Sequence, residues 1–274
     1  MTDRYAVIGN PVEHSKSPLI HSAFARQTAQ DMEYIRLLAP LDAFQATALQ
    51  FRAAGGKGAN VTVPFKLEAW RLADTLSPRA RAAGAVNTLT FSETGILGDN
   101  TDGAGLVRDL QHNLHIPLNG KTILLLGAGG AAEGVLHPLL QQRPRQLLIA
   151  NRSAGKAIAM VDKVAGQAEF HATEIRAHTF ADLEGMQFDV IINATSTGLT
   201  NTALPIPNSI FTAGALAYDM MYGRETPFMA LARAQGARVA DGLGMLVEQA
   251  AESFYLWRGV HPQTQPVIAL LRAA

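Results

Sequence analysis

The feature that most restricts the fold lies in mid-chain, where Lys121-Thr-Ile-Leu-Leu-Leu126 runs directly into Gly127-Ala128-Gly129-Gly130-Ala131-Ala132. A short apolar run that stops at glycine reads as a buried strand. A helix pattern follows from about Ala131 to Gln141, and then a second apolar run, Gln146-Leu-Leu-Ile-Ala150. Strand, Gly-x-Gly-x-x-Ala turn, helix and strand in that order predict a dinucleotide-binding βαβ unit of the Rossmann type. Gly127 then permits the tight turn, Gly129 lets the backbone approach a pyrophosphate, and Ala132 keeps the helix close to the sheet. Ala128, Gly130 and Ala131 complete the turn, whose free N–H groups at the helix start favour phosphate.

The end of the next strand carries Asn151-Arg152-Ser153, with Lys156 shortly after. An NAD site usually places Asp or Glu here to hold both ribose hydroxyls, and this chain has neither. A carboxylate repels a 2′-phosphate, whereas Arg152 can grip it with a planar fork and Ser153 can donate a hydroxyl. NADP is the expected cofactor, although a solvated Asn-Arg-Ser turn is the plainer reading of the same three residues.

Alternating short apolar runs and longer amphipathic stretches extend over the whole chain, the pattern of α/β architecture with parallel strands. Expected strands are Tyr5–Gly9, Gly58–Val63, Asp189–Ile192, Leu216–Asp219 and Ala237–Val239. Expected helices are Leu19–Thr28, Gly103–Leu114, Gly155–Val164, Pro227–Gln235 and Leu243–Trp257. The layout predicted is a substrate and catalytic domain over 1–102 with a mostly parallel sheet, and an NADP-binding Rossmann domain over 103–241. The helices of 242–274 are expected to return to the first domain. Lys plus Arg equals Asp plus Glu at 23 each, which gives a general nucleic-acid or membrane-surface role little support. The absence of cysteine excludes disulfides and thiolate catalysis, and no histidine spacing suggests a metal site. No signal peptide or membrane span is expected, so the location predicted is cytoplasmic.

Four polar clusters follow strand candidates in the first hundred residues. They are His14-Ser15-Lys16-Ser17-Pro18, Asn60-Val-Thr62-Val-Pro64-Phe-Lys66, Gly84-Ala-Val-Asn87-Thr88 and Asp99-Asn100-Thr101-Asp102-Gly103. Loops at the carboxyl ends of parallel strands converge on one crevice, and these groups suit a polyhydroxylated acid without identifying it. Taken singly they stay open to plain readings. Lys66 alone reads best as a solvated lysine, Asp102 as a helix cap, Ser15 and Ser17 as turn residues, and Asn60 and Asn87 as partners for buried backbone. His14 and His21 read as structural.

Together and in this order the motifs resemble the shikimate dehydrogenase family over nearly the whole length. The resemblance implies that Ser15 and Ser17 bind a substrate carboxylate, and that Thr62, Asn87, Asp102, Tyr222 and Gln249 contact the rest of the substrate. It implies Lys66 and Asp102 as the catalytic pair. Cofactor contacts implied are Gly127 to Ala131, Asn151, Arg152, Ser153, Lys156, Thr195 of Asn193-Ala-Thr195, Met220 of Tyr218-Asp-Met-Met-Tyr222, and Gly242. The activity implied is NADPH-dependent reduction of 3-dehydroshikimate to shikimate, a step of aromatic amino acid (chorismate) biosynthesis, by a monomer or a homodimer. Lys66 would donate the proton to the forming alkoxide while Asp102 aligns it. Which of the two holds the shared proton stays open.

Three positions depart from the family pattern. Ser22 stands where Asn is frequent. Lys156 stands where some relatives carry Arg, and lysine cannot bind phosphate as a fork. Glu133 lies in the glycine turn, where it would oppose a phosphate unless it points away. A quinate/shikimate dehydrogenase with broader substrate or cofactor use and a non-catalytic shikimate-sensing relative are the alternatives. A glutamyl-tRNA reductase type is disfavoured because it needs a catalytic cysteine.

Overall fold

The structure, a computed structural model, describes residues 2–200 and 202–273. The chain divides into two units, Met1–Gly105 with Leu246–Ala274, and Leu106–Met245.

The first unit runs β1 (Asp3–Gly9), α1 (Ser17–Gln27), β2 (Met32–Leu38), α2 (Phe44–Ala53), β3 (Gly56–Val61), α3 (Lys66–Leu72), β4 (Thr75–Leu76), α4 (Pro78–Ala83), β5 (Thr88–Ser92) and β6 (Gly95–Asp99). The unit boundary falls inside α5 (Asp102–Arg108). Its sheet has the order β2-β1-β3-β5-β6-β4. β1 pairs in parallel with β2 and β3, and β4 with β6, while β5 is antiparallel to both neighbours. Pro18 suits the first turn of α1 because its missing N–H has no intrahelical partner there. Ser77 caps α4 by accepting from the Ala80 amide at 3.1 Å. Ala6, Ile8, Ala59, Val61, Phe44 and Phe65 belong to the core of this unit.

The second unit contains a π-helical turn at Asp109–Asn113, followed by β7 (Thr122–Leu126), α6 (Gly130–Leu140), β8 (Gln146–Asn151), α7 (Ala154–Val164) and β9 (Glu174–Thr179). Then come β10 (Val190–Asn193), α8 (Thr197–Thr200), β11 (Leu216–Asp219), α9 (Pro227–Ala234) and β12 (Arg238–Asp241). All six strands are parallel, in the order β12-β11-β10-β7-β8-β9. Along β7, Ile123 and Leu125 enter one buried cluster while Leu124 and Leu126 enter the other. Both faces are covered, which is why this strand is apolar throughout rather than alternating. The chain ends with α10 (Leu243–Arg258), inside which the second boundary falls, and α11 (Gln265–Ala273). Within the first unit, Trp257 of α10 stacks on Tyr5 at 4.7 Å and donates to the Leu89 carbonyl at 3.1 Å.

The architecture is mixed α/β with two mostly parallel sheets, as its patterning predicts. Several expected ends move by one or two residues, and two of the differences have a clear local cause. The strand expected to reach Val63 stops at Val61, because the chain turns and the Phe65 amide bonds back to the Thr62 carbonyl at 3.0 Å. The helix expected over Gly103–Leu114 is split, its second half winding into the π turn around the buried Asp109.

Candidate active site

In the first unit the turn after β3 carries Lys66 to the start of α3, and the turn after β6 carries Asp102 to the start of α5. Lys66 Nζ donates to Asp102 Oδ2 at 2.5 Å, with the lysine side chain 32% exposed and the carboxylate 13%. The other oxygen, Oδ1, accepts from Asn87 Nδ2 at 2.8 Å. The Asp102 carboxylate is thus turned to the lysine, while the Asn100 side chain accepts from the Asp102 amide at 3.1 Å. The first amide of α5 is therefore satisfied by Asn100, and the Asp102 carboxylate takes no part in capping.

Asn87 is fixed from several sides. Its Oδ1 accepts from Thr88 Oγ1 and the Thr101 amide, both at 2.9 Å, and its Nδ2 also lies 3.2 Å from Gln249 Oε1. Gln249 stands on α10 and is partly exposed. Ser15 and Ser17 come together, the Ser17 amide donating to Ser15 Oγ at 3.2 Å, and Arg36 Nη2 ties the loop by donating to the Ser15 carbonyl at 2.7 Å. Thr62 is half-buried, with its methyl against Gly9.

A buried network joins these groups within the unit. The Tyr34 phenol donates to Asn60 Oδ1 at 2.7 Å. Asn60 Nδ2 donates to Ser253 Oγ at 3.0 Å, and Ser253 meets Thr88 and Thr101 at 2.8 and 3.2 Å. His21 Nε2 lies 3.2 Å from Asn60 Oδ1 and the ring stacks on Tyr34 at 4.2 Å. Because that oxygen only accepts, Nε2 carries the hydrogen, and Nδ1 has no partner among the described residues. Burial lowers the His21 pKa to about 3, so it is neutral at ordinary pH, and burial pushes the Tyr34 phenol well up. Tyr34, Ser253 and Arg36 had no sequence signal, since each is an ordinary residue until the fold collects it.

In the second unit Gly127 takes φ +105°, and a Cβ there would stand 3.2 Å from the Ala194 backbone and the Thr195 methyl. Gly129 precedes α6, and neither Gly129 nor Gly130 has any described atom within 4 Å of a Cβ position. Ala128 is half-buried and Ala131 exposed, while Ala132 is buried against the core. This open, glycine-lined helix start fits a pyrophosphate. Asn151 Nδ2 folds onto the Ser153 carbonyl at 3.1 Å. Arg152, Ser153 and Lys156 are exposed together at the end of β8 and the start of α7, a donor set suited to a 2′-phosphate. Glu133 Oε1 is held by Lys163 Nζ at 2.5 Å, which answers the departure in the glycine turn.

Thr195, Met220, Tyr222 and Gly242 also lie in this unit, at or just beyond the carboxyl ends of β10, β11 and β12. Burial raises the Tyr222 phenol pKa. A Cβ on Gly242 would collide with the Met220 carbonyl, so glycine is required for that approach.

A dinucleotide cradle on one unit and a lysine–carboxylate pair on the other are what a two-unit pyridine-nucleotide oxidoreductase requires. Within that class the chain belongs to the shikimate dehydrogenase family. Residues 7–89 match the shikimate dehydrogenase substrate binding domain, 109–202 the shikimate/quinate 5-dehydrogenase model, and 242–272 the shikimate 5′-dehydrogenase C-terminal domain. The shikimate dehydrogenase (NADP(+)) of Methylobacillus flagellatus is 63% identical over 274 residues, covering 99% of this chain and 100% of its own. An Ael1 enzyme from Pseudomonas putida has a similar structure, with TM-score 0.92, 49% identity and 98% of each chain covered. So has the shikimate 5-dehydrogenase of Thermus thermophilus in complex with NADP(H) and shikimate, with TM-score 0.86, 32% identity and 99% of each chain covered.

Proposed function

We propose that the protein catalyses the reversible, NADPH-dependent reduction of 3-dehydroshikimate to shikimate. The observation that carries this reading is the 2.5 Å Lys66–Asp102 pair, set in a chain 63% identical to an NADP(+) shikimate dehydrogenase. When bound, NADPH supplies the hydride that adds to the C3 carbonyl carbon. Lys66 stands as the ammonium donor for the alkoxide oxygen formed there, and its proton completes the new hydroxyl. Lys66 is reprotonated from solvent, so one carbonyl, one hydride and one proton give one alcohol. Asp102 limits the lysine to one direction, and Asn87 limits Asp102 in turn.

Substrate binding is assigned to Ser15 and Ser17 for the carboxylate, and to Thr62, Asn87, Asp102, Tyr222 and Gln249 for the hydroxyls and ketone. Cofactor binding is assigned to Gly127, Ala128, Gly129, Gly130 and Ala131 at the pyrophosphate, and to Asn151, Arg152, Ser153 and Lys156 at the 2′-phosphate. Thr195, Met220 and Gly242 are assigned to the nicotinamide. Met1–Gly105 with Leu246–Ala274 is then the substrate unit and Leu106–Met245 the cofactor unit. A cytoplasmic location and a monomeric or homodimeric state go with this reading.

The test is NADPH formation, followed by absorbance, from shikimate and NADP+, with quinate and NAD+ as controls. Turnover confined to shikimate with NADP+ is expected. Equal turnover of quinate would favour the broader dehydrogenase, and binding of both ligands without turnover would favour a sensor.

A further inference from the structure

We propose that Asn193 and Asp219 form a positioning pair that sets the nicotinamide end of the cofactor cleft. The proposal rests on the assignment of Thr195, Met220 and Gly242 to the nicotinamide, and adds what holds those three in place. Asn193 and Asp219 are 1% and 0% exposed. They end the adjacent strands β10 and β11 and face each other in register. That is the carboxyl edge of the parallel sheet, where ligands of this architecture bind.

The side chains of the pair reach Thr195 directly and Gly242 through Met221, and the Asn193 backbone holds Met220. Asn193 Nδ2 donates to Asp219 Oδ2 at 3.1 Å. Asn193 Oδ1 accepts from the Thr195 amide at 3.1 Å and from the Thr195 hydroxyl at 2.7 Å. The Asn193 carbonyl accepts from the Met220 amide at 3.0 Å. Asp219 Oδ1 accepts from the Met221 amide at 2.9 Å, and the Met221 carbonyl accepts from the Gly242 amide at 2.9 Å. Thr226 Oγ1, the cap of α9, donates to Asp219 Oδ2 at 2.6 Å.

The polarity of this arrangement is one-way. Met221, Thr226 and Asn193 all donate toward Asp219, so an acceptor-only carboxylate satisfies them and an amide cannot. Asn193 needs one donor face toward Asp219 and one acceptor face toward Thr195, which is what an amide offers. Asp219→Asn places an N–H against donors, and Asn193→Asp sets two carboxylates against each other. Exchanging both residues restores an N–H···O contact between them and leaves an oxygen facing Thr195 and another facing Met221, while the Thr226 hydroxyl alone then meets an N–H in place of an acceptor.

The experiment compares Asp219→Asn, Asn193→Asp, the exchanged double variant and Met220→Ala. It measures shikimate turnover and, by calorimetry, the Kd of NADP+ and of 2′,5′-ADP, which lacks the nicotinamide. Each single variant at 193 or 219 is expected to lower kcat by about 10²-fold, the cost typical of a misplaced reacting group. NADP+ should weaken about tenfold, the equivalent of one lost charge-assisted hydrogen bond. Binding of 2′,5′-ADP should stay unchanged, and the double variant should regain part of the lost turnover, exceeding both singles.

Singles that match the wild type, beside an impaired Met220→Ala, would overturn the pair alone. A Met220→Ala variant with normal NADP+ binding and turnover would remove the underlying assignment and the proposal with it. Equal weakening of 2′,5′-ADP and NADP+ would make the pair merely structural and overturn the proposal. Should a single variant fail to fold, the double and Thr226→Val decide. Lower turnover in Thr226→Val with intact 2′,5′-ADP binding and an active double supports the pair, and normal turnover in Thr226→Val with an inactive double overturns it.

Discussion

At the scale of single residues, Lys66 and His21 show how the same unit produces opposite electrostatic situations. Lys66 lies partly exposed against a carboxylate, and removing it should cost turnover rather than binding. Lys66→Ala is expected to lower kcat by roughly 10²–10⁴-fold with a much smaller change in KM, and steady-state kinetics on shikimate check it. A change confined to KM would make Lys66 a binding residue. His21 is buried among aromatic rings, with no carboxylate partner among the described residues, and its pKa falls from 6.5 to about 3. Between those values the unfolded chain binds a proton that the folded chain does not. Stability from neutral His21 is therefore full above the unfolded pKa and declines as pH falls, by up to about 1.4 kcal/mol per pH unit. His21→Phe keeps the stack and removes the titration, so its stability deficit relative to wild type should shrink on acidification. Urea unfolding at neutral and mildly acidic pH measures this, and a constant deficit would contradict it. The sequence signalled Lys66 and Asp102 only as members of a motif set. They are 36 residues apart, and spacing alone does not reveal that two loops meet.

At the scale of elements, the chain was most legible where both faces of a strand are buried. β7 and β8 carry unbroken apolar runs because helices cover each side, and their turns follow from the glycines and from Asn151. β2 and β9 had no such signal. Both are edge strands, and both mix charged or polar residues with apolar ones, since an edge strand need not bury both faces. The π turn was equally hidden, because its cause is tertiary. Tyr218 donates to Asp109 Oδ2 at 2.7 Å and Asn113 Nδ2 donates to Oδ1 at 2.8 Å, which keeps Asp109 buried beneath the start of α10. A Cβ on Gly244 would overlap that carboxylate. Gly244→Ala should therefore destabilise the protein by about 1–3 kcal/mol or more, as overpacking of a rigid buried site does. Thermal unfolding checks it, and an unchanged melting temperature would show that Asp109 yields more easily than its bonds suggest.

At the scale of the whole molecule, the two units have separate cores and separate assigned ligands. Hydrogen exchange should report that division. Saturating 2′,5′-ADP, by binding the native state, should stabilise by about 2.7 kcal/mol at a hundred times its Kd, with new protection concentrated in Leu106–Met245. Shikimate alone should protect the β3–α3 and β6–α5 turns and the Gln249 turn of α10. Protection in the opposite units would reverse the assignment of substrate and cofactor. The same division has a consequence for how the chain is made. A ribosome releases Leu106–Met245 as one uninterrupted stretch, able to fold while synthesis continues. The first unit is begun earlier yet stays incomplete until Ser253 and Trp257 have emerged, since Asn60 and Tyr5 wait for them. Of the two units, the one whose synthesis starts first is thus the one completed last, and its half-made sheet is the surface that waits longer for its partners.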